Sequence, residues 1–164
     1  MQAFSIWVDA DSCQSKARNS LQEIALKYSV PVILVANRAI PFFCNSPLFN
    51  MVIREAKKDA ADTYISVNCT LHDIVVTRDL PLAQKLLQKG ITVINDRGII
   101  FTKTTLEKML KERELSMQMA ALGIRNGKFS TYSNEDLKKF TKNFQQALQN
   151  NLQNAKTDSN LSPC

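Results

Sequence analysis

Nine aspartates lie along the chain, and five of them fall into three short groups: Asp9 with Asp11, Asp59 with Asp62, and Asp79. Carboxylates drawn together repel, by about 4 kcal/mol for two unit charges 4 Å apart in an effective dielectric near 20, so a gathered set calls for a cation. Magnesium or manganese is the natural one, because a hard divalent ion takes oxygen ligands and keeps waters that phosphate oxygens can displace. Such an ion polarises a phosphodiester and supplies hydroxide from its own water, and a second would hold the leaving oxygen. The five aspartates are therefore candidate metal ligands, and phosphodiester hydrolysis is the chemistry they imply.

The elements that must position them follow from periodicity. Residues 4–8 form a strand-like run, and the polar DADS turn after it opens a helix in which Ala17, Leu21, Ile24, Ala25 and Tyr28 share one face. Residues 32–36 and 51–53 read as further strands, residues 60–67 as a short helix, and the DIVVT run at 73–77 as a strand buried on both faces. Pro81 stands at a helix start, Leu82, Ala83, Leu86 and Leu87 form its stripe, and Gly90 stops it before a fifth strand at 91–94. Two helices close the chain, one carrying Leu106, Met109 and Leu110, the other capped by Ser133 and carrying Leu137, Phe140, Phe144 and Leu148. Strand–helix alternation of this kind predicts right-handed crossovers and a mostly parallel sheet, hence an α/β fold. Asp9 ends the first strand and Asp79 follows the fourth, so both reach the one sheet edge where open α/β folds bind ligands. Asp59 and Asp62, three apart on a helix, share a face.

Each of these residues also has a structural reading. Aspartate caps helices after strands, and for Asp11 and Asp59 capping is the simpler account, whereas Asp9 at the end of an apolar strand favours function and Asp79 lies between. Asp73 reads as a loop residue and Asp96 as a turn residue. Cys13, beside carboxylates, reads as a buried thiol rather than a nucleophile, since its thiolate is disfavoured there. His72 reads as exposed and without a partner. Lys16, Thr77, Arg78 and Arg97 fall near the same edge and would orient a water or hold substrate phosphates, if they are not simply surface residues. Phe42 and Phe43, in a loop over residues 37–47, either stack on bases or fold into the core.

A chain of 164 residues with 45% apolar and 22% charged residues makes one packed domain, here taken as residues 1–152, with the polar stretch 153–164 a frayed tail. No apolar run approaches the roughly 20 residues of a membrane span, and the N-terminus lacks the pattern of a signal peptide, so a cytoplasmic protein is expected. Four scattered cysteines and one histidine argue against structural zinc and disulfides. The net charge of +6 divides into +2 up to Thr102 and +4 from Lys103 to Lys142. That surplus suits a polyanion, and equally an ordinary solvated helix. The last helix packs either on its own domain or on a second copy, which leaves a homodimer open.

The segments VDADSCQSK (8–16), DAADTYI (59–65), DIVVTRDLPLA (73–83) and NDRG (95–98), with LSM at 115–117, closely resemble in order and spacing the YaiI/YqxD family of uncharacterised bacterial proteins, across roughly residues 4–122. That family looks PIN-like, similar to NYN and YacP-type domains. The resemblance implies a three-layer α/β/α fold with an acidic metal site for cleaving RNA. Carried over residue by residue, it supports Asp9, Asp62 and Asp79 as the catalytic acids, with Asp11 and Asp59 as neighbours, and Thr77 fits its T-x-D pattern. The chain departs from the family at Gln14 and Asp96, where proline is usual, at Thr63, where an acid is usual, and in the short segment 123–133.

The leading expectation is thus a magnesium- or manganese-dependent PIN-like ribonuclease. A haloacid-dehalogenase-like phosphatase with Asp9 as nucleophile is the second, because an apolar strand ending in D-x-D also opens that family, although its later lysine and paired acids are not evident here. A non-catalytic RNA-binding or scaffolding protein is the third.

Overall fold

β-Branched residues dominate five short runs, and in the computed structural model, which describes residues 4–55, 57, 59–125 and 131–161, these runs pair edge to edge. They are β1 (Ile6–Asp9), β2 (Val32–Ala36), β3 (Phe49–Ile53), β4 (Ile74–Val76) and β5 (Thr92–Ile94). Their order across the sheet is β3-β2-β1-β4-β5, and every pair is parallel. Val8 lies level with Leu34 and Val76, and Val76 with Ile94, so the central strands finish together. The chain builds outward from β1 to β3, then returns to β1's other side with β4. Strand order therefore reverses between β1 and β4, and the crevice outside their carboxyl ends is where such sheets bind ligands.

Alternate residues of each strand face opposite layers. Ile6, Val8, Leu34, Ile74 and Val76 pack under α1 (Ser15–Tyr28) and α5 (Asn134–Leu161), joined there by Leu21, Phe144 and Leu148. Trp7, Val35, Val75 and Val93 face α2 (Ala60–Asn68), α3 (Leu80–Gln88) and α4 (Lys103–Ala121), through Ile65, Leu86 and Leu106. The fold is a three-layer α/β/α domain: the parallel sheet is what the alternation of elements predicts, and the three layers are what the family resemblance implies. No helix among the described residues is long and apolar enough to cross a membrane.

Several local expectations change. Leu80, not Pro81, opens α3, with Asp79 as its N-cap, and the proline's missing N–H falls where the first turn has no intrahelical acceptor anyway. Ser133 caps α5 reciprocally: Asp136 N–H donates to Ser133 Oγ at 3.1 Å, and Ser133 N–H to Asp136 Oδ2 at 2.9 Å. Phe140 and Phe144 are fully buried and stacked at 5.4 Å, so this face of α5 belongs to its own domain. Gly98 at φ 85° lets the turn after β5 press on α5, because a Cβ there would meet the Lys139–Phe140 backbone at 2.7 Å.

The stretch expected to fray is instead helical through Leu161, and Ala155 is buried against the core. Its anchor includes His72, which is not without a partner: Nε2 lies 3.0 Å from Asp158 Oδ2, and its carbonyl accepts from Asn151 Nδ2 at 2.9 Å. Residues 162–164, and 126–130 of the shortened segment, lie outside the described residues. The loop before β3 folds back, with Phe42 against Phe49 at 5.8 Å, while Phe43 remains half exposed and donates its N–H to Gln22 Oε1.

Candidate metal and catalytic site

The last residue of β1 and the first residues beyond β4 are tied by one hydroxyl. Thr77 Oγ1 donates to Asp9 Oδ2 at 3.0 Å and accepts from Asp79 N–H at 3.0 Å. Ser12 Oγ donates to the same Asp9 oxygen at 2.9 Å. Asp9 is 6% exposed and Thr77 1%, so the bond between them is made away from water, where a polar group must find a partner. Asp79 accepts the N–H of Leu82 on Oδ1, at 2.8 Å, as the α3 cap. Of the candidates weighed as caps, Asp79 is the one that caps.

Asp11 and Asp59 do not. Asp11 Oδ2 accepts from Asn37 N–H at 2.8 Å, joining the turn after β1 to the exit of β2. Asp59 occupies the N-cap position of α2 but makes no cap hydrogen bond, and its φ of 66° is left-handed. Outside glycine that region is sparsely used, although aspartate tolerates it. Both residues, with Asn37 and Asp62, line a cavity of about 250 Å³.

Asp62, in the first turn of α2, completes the group. Its carboxyl is pushed up to about 7, first by burial, then by the charges of Asp79, Asp9 and Asp59, and by a hydrogen bond with Asp79. Asp9 is likewise raised, chiefly by burial against the lowering bonds from Ser12 and Thr77, with Asp11 and Asp79 adding repulsion. Carboxyls from β1, α2 and the β4–α3 junction thus act on one another at the strand-order reversal. Among the described residues none of Asp9, Asp62 and Asp79 has a lysine or arginine in ion pair with it.

The donor set fits a hydrated hard cation. Both bonds to Asp9 use Oδ2, which leaves its Oδ1 for a ligand, whereas Asp79 divides its carboxylate between the cap on Oδ1 and its hydrogen bond with Asp62. Among the described residues no three carboxylate, histidine or cysteine side chains close into a cage. Magnesium does not need one, because it binds through one or two carboxylates and completes its shell with water and substrate oxygens.

Around this group the other candidates separate. Arg78 lies over the turn after β1, its Nη1 3.5 Å from the Ser12 carbonyl and its Nε 3.8 Å from Asp96 Oδ1. Lys16 is exposed on the first turn of α1. Arg97 is turned to α5, 3.2 Å from Asp136 and over the Tyr132 ring. Cys13 is buried, and burial followed by the charge of Asp96 pushes its thiol far up, which suits the reading as an inert thiol.

Two aspartates set aside as loop and turn residues are buried anchors. Asp96, 1% exposed, accepts from Gln14 N–H through Oδ2 at 3.0 Å, supplying from β5's end the cap that Gln14's own side chain does not give α1. Its Oδ1 is buried without a hydrogen bond. Asp73, 4% exposed, accepts from the N–H groups of Ser5 and Thr70 and from Trp7 Nε1, at the sheet edge away from the acids. The one sequence signal was position, since each flanks an almost wholly apolar strand.

The model of the family described as "Uncharacterized BCR, YaiI/YqxD family" matches residues 7–150. A UPF0178 protein of Treponema denticola is 36% identical over 154 residues, covering 94% of this chain and 97% of its own. UPF0178 proteins of Marinomonas sp. and Legionella pneumophila are 34% and 33% identical, over 87% and 83% of this chain and 95% and 91% of theirs. No solved structure matches the chain significantly.

Proposed function

We propose, for a chain that belongs to the YaiI/YqxD family, a function read from its own site: divalent-metal-dependent hydrolysis of phosphodiester bonds in single-stranded RNA, by a domain of PIN-like type. The observation that carries it is the convergence of Asp9, Asp62 and Asp79, where burial and then mutual repulsion raise Asp62 to about 7 and no described cation pairs with the group. Asp9 and Asp79 would hold magnesium or manganese, with Asp62 beside them to add its charge once its proton leaves. When bound, the ion supplies the polarised phosphate and a water acidic enough to attack it. Thr77 fixes the spacing of Asp9 and Asp79, and Asp11 and Asp59 keep the approach acidic, so that further hydrated cations gather there with a polyanion. Arg78, at the rim, offers the guanidinium that a phosphate oxygen pairs with.

The test is cleavage of a labelled single-stranded RNA by purified protein with magnesium or manganese. Cleavage is expected with either ion, lost on chelation, and lost in Asp9→Asn and Asp79→Asn. Full activity in both variants, or activity confined to phosphate monoesters with phosphate trapped on Asp9, would overturn the reading.

A further inference from the structure

The cavity beside the acids adjoins a second of about 600 Å³, within the size range of small-ligand sites. The two share Arg54, Glu55, Lys57, Asp59 and Ala60 as walls. The larger one runs between the end of β3 and the outer face of α2. Its floor is a ring: Tyr64, half-buried and backed by Trp7 at 6.1 Å, carries the Arg54 guanidinium 4.1 Å above its centroid. Two of its wall residues are exposed aliphatics, Ile53 at 55% and Val67 at 75%. Large aliphatic side chains left in water beside a cation lying on an aromatic ring form a surface suited to a flat π-system.

Charge among the described lining residues does not select the occupant. Arg54 and Lys57 are balanced there by Glu55 and Asp59, and Lys57 already lies 3.1 Å from Glu55, so these residues offer a polyphosphate little. A nucleobase gains from all of it, because bases stack on arginine planes and aromatic rings whatever their sequence.

We propose that this groove binds a base of the substrate strand next to the scissile phosphate, stacked on the Arg54–Tyr64 pair between Ile53 and Val67. The inference rests on the hydrolase reading for the nature of the polymer and adds the site that holds the strand. It makes the protein selective for single strands, since a base paired in a helix cannot enter. The strand then runs from the groove, past Asp59, to Asp62 and its neighbours.

The experiment measures binding of a fluorescent single-stranded RNA oligonucleotide, and of the same sequence as DNA, to full-length Asp9→Asn protein in magnesium by anisotropy. Arg54→Ala and Val67→Asp, both at exposed positions, are added to that background, with Tyr64→Phe as the conservative control. Losing one stacked base is expected to weaken binding about tenfold or more. Tyr64→Phe should bind as the parent does, and an oligonucleotide with abasic positions should bind the parent as weakly as the intact one binds Arg54→Ala. Unchanged affinity in Arg54→Ala and Val67→Asp, equal binding of intact and abasic strands, or no binding by the parent would each overturn the groove. Cleavage by otherwise wild-type Arg54→Ala and Val67→Asp separates the two readings: undiminished cleavage sinks the groove alone, whereas tight base-dependent binding with no cleavage by any variant sinks the hydrolase alone.

Discussion

Thr77 and Asp9 meet across the junction of the fourth and first strands, hydroxyl to carboxylate at 3.0 Å, and the same hydroxyl receives the N–H of Asp79. One side chain thereby sets the distance between the two acids at the strand-order reversal. Thr77→Val keeps the shape and removes both bonds, leaving the part-buried Asp79 N–H without its acceptor. That costs about 1–3 kcal/mol. Thr77→Ser should lose much less. Denaturant unfolding distinguishes the valine from the serine substitution, and equal stability of the two variants would show that the hydroxyl is not what joins the strands.

The order of elements was legible in the sequence because most strands are short β-branched runs and most helices keep an apolar stripe, so a change of period marks each element even where its ends shift by a residue or more. Asp9 was legible for the same reason, since a carboxylate ending an apolar strand has few structural excuses, whereas Asp79, two residues past β4's neighbour Thr77, also serves as the α3 cap. What was not legible depends on partners distant in the chain. Asp96 owes its burial to an N–H 82 residues away, and Asp73 to groups 66 and 68 away. The last turns of α5 escaped notice because Ala155 alone marks their buried side, too little for a periodic signal. Arg54 and Tyr64 come from different elements, and no spacing rule joins a strand exit to a helix face.

Asp62 links stability to pH and metal. Its carboxyl titrates near 7 in the folded protein against an ordinary value of 3.8. Between those values the native state holds a proton that the unfolded chain has released, so this group's contribution is complete below about 4 and is lost as pH rises through about 7. Asp62→Asn should flatten the fall in melting temperature over that window. Magnesium or manganese competes with the proton, so added metal should raise the wild-type melting temperature more at about pH 8 than at about pH 5, and not in Asp9→Asn. A metal effect of the same size at both values would mean that the cation binds away from these acids.

Deleting residues 153–164 tests the helical end of the chain. The deletion removes Ala155 from the core and Asp158 from His72. The Ala155 methyl is worth about 0.8 kcal/mol and an exposed pair at most about 1 kcal/mol, so the melting temperature should fall by about 2–8 °C. A shortened chain that melts with the full-length protein would show that α5 ends, energetically, before Ala155.

Arg78 separates binding from chemistry at the proposed site. Its guanidinium is held over the turn after β1 by the Ser12 carbonyl and the buried Asp96 carboxylate, so it faces the rim without neutralising the acids within. A group in that position meets a phosphate in the bound substrate and in the transition state alike, and its loss therefore acts mainly on KM. One charge-assisted hydrogen bond is worth about 1.5–3 kcal/mol, so Arg78→Ala should lower kcat/KM for RNA about 10- to 150-fold with kcat nearly unchanged. Lysine at this position keeps the charge but not the planar fork that spans Ser12 and Asp96, and should restore only part of the loss. Asp96→Asn, which removes the charge that restrains the guanidinium, should raise KM in the same direction by a smaller factor. If Arg78→Ala instead lowers kcat at unchanged KM, the guanidinium acts on the reacting phosphate itself, and Arg78 belongs with the catalytic acids rather than at the rim.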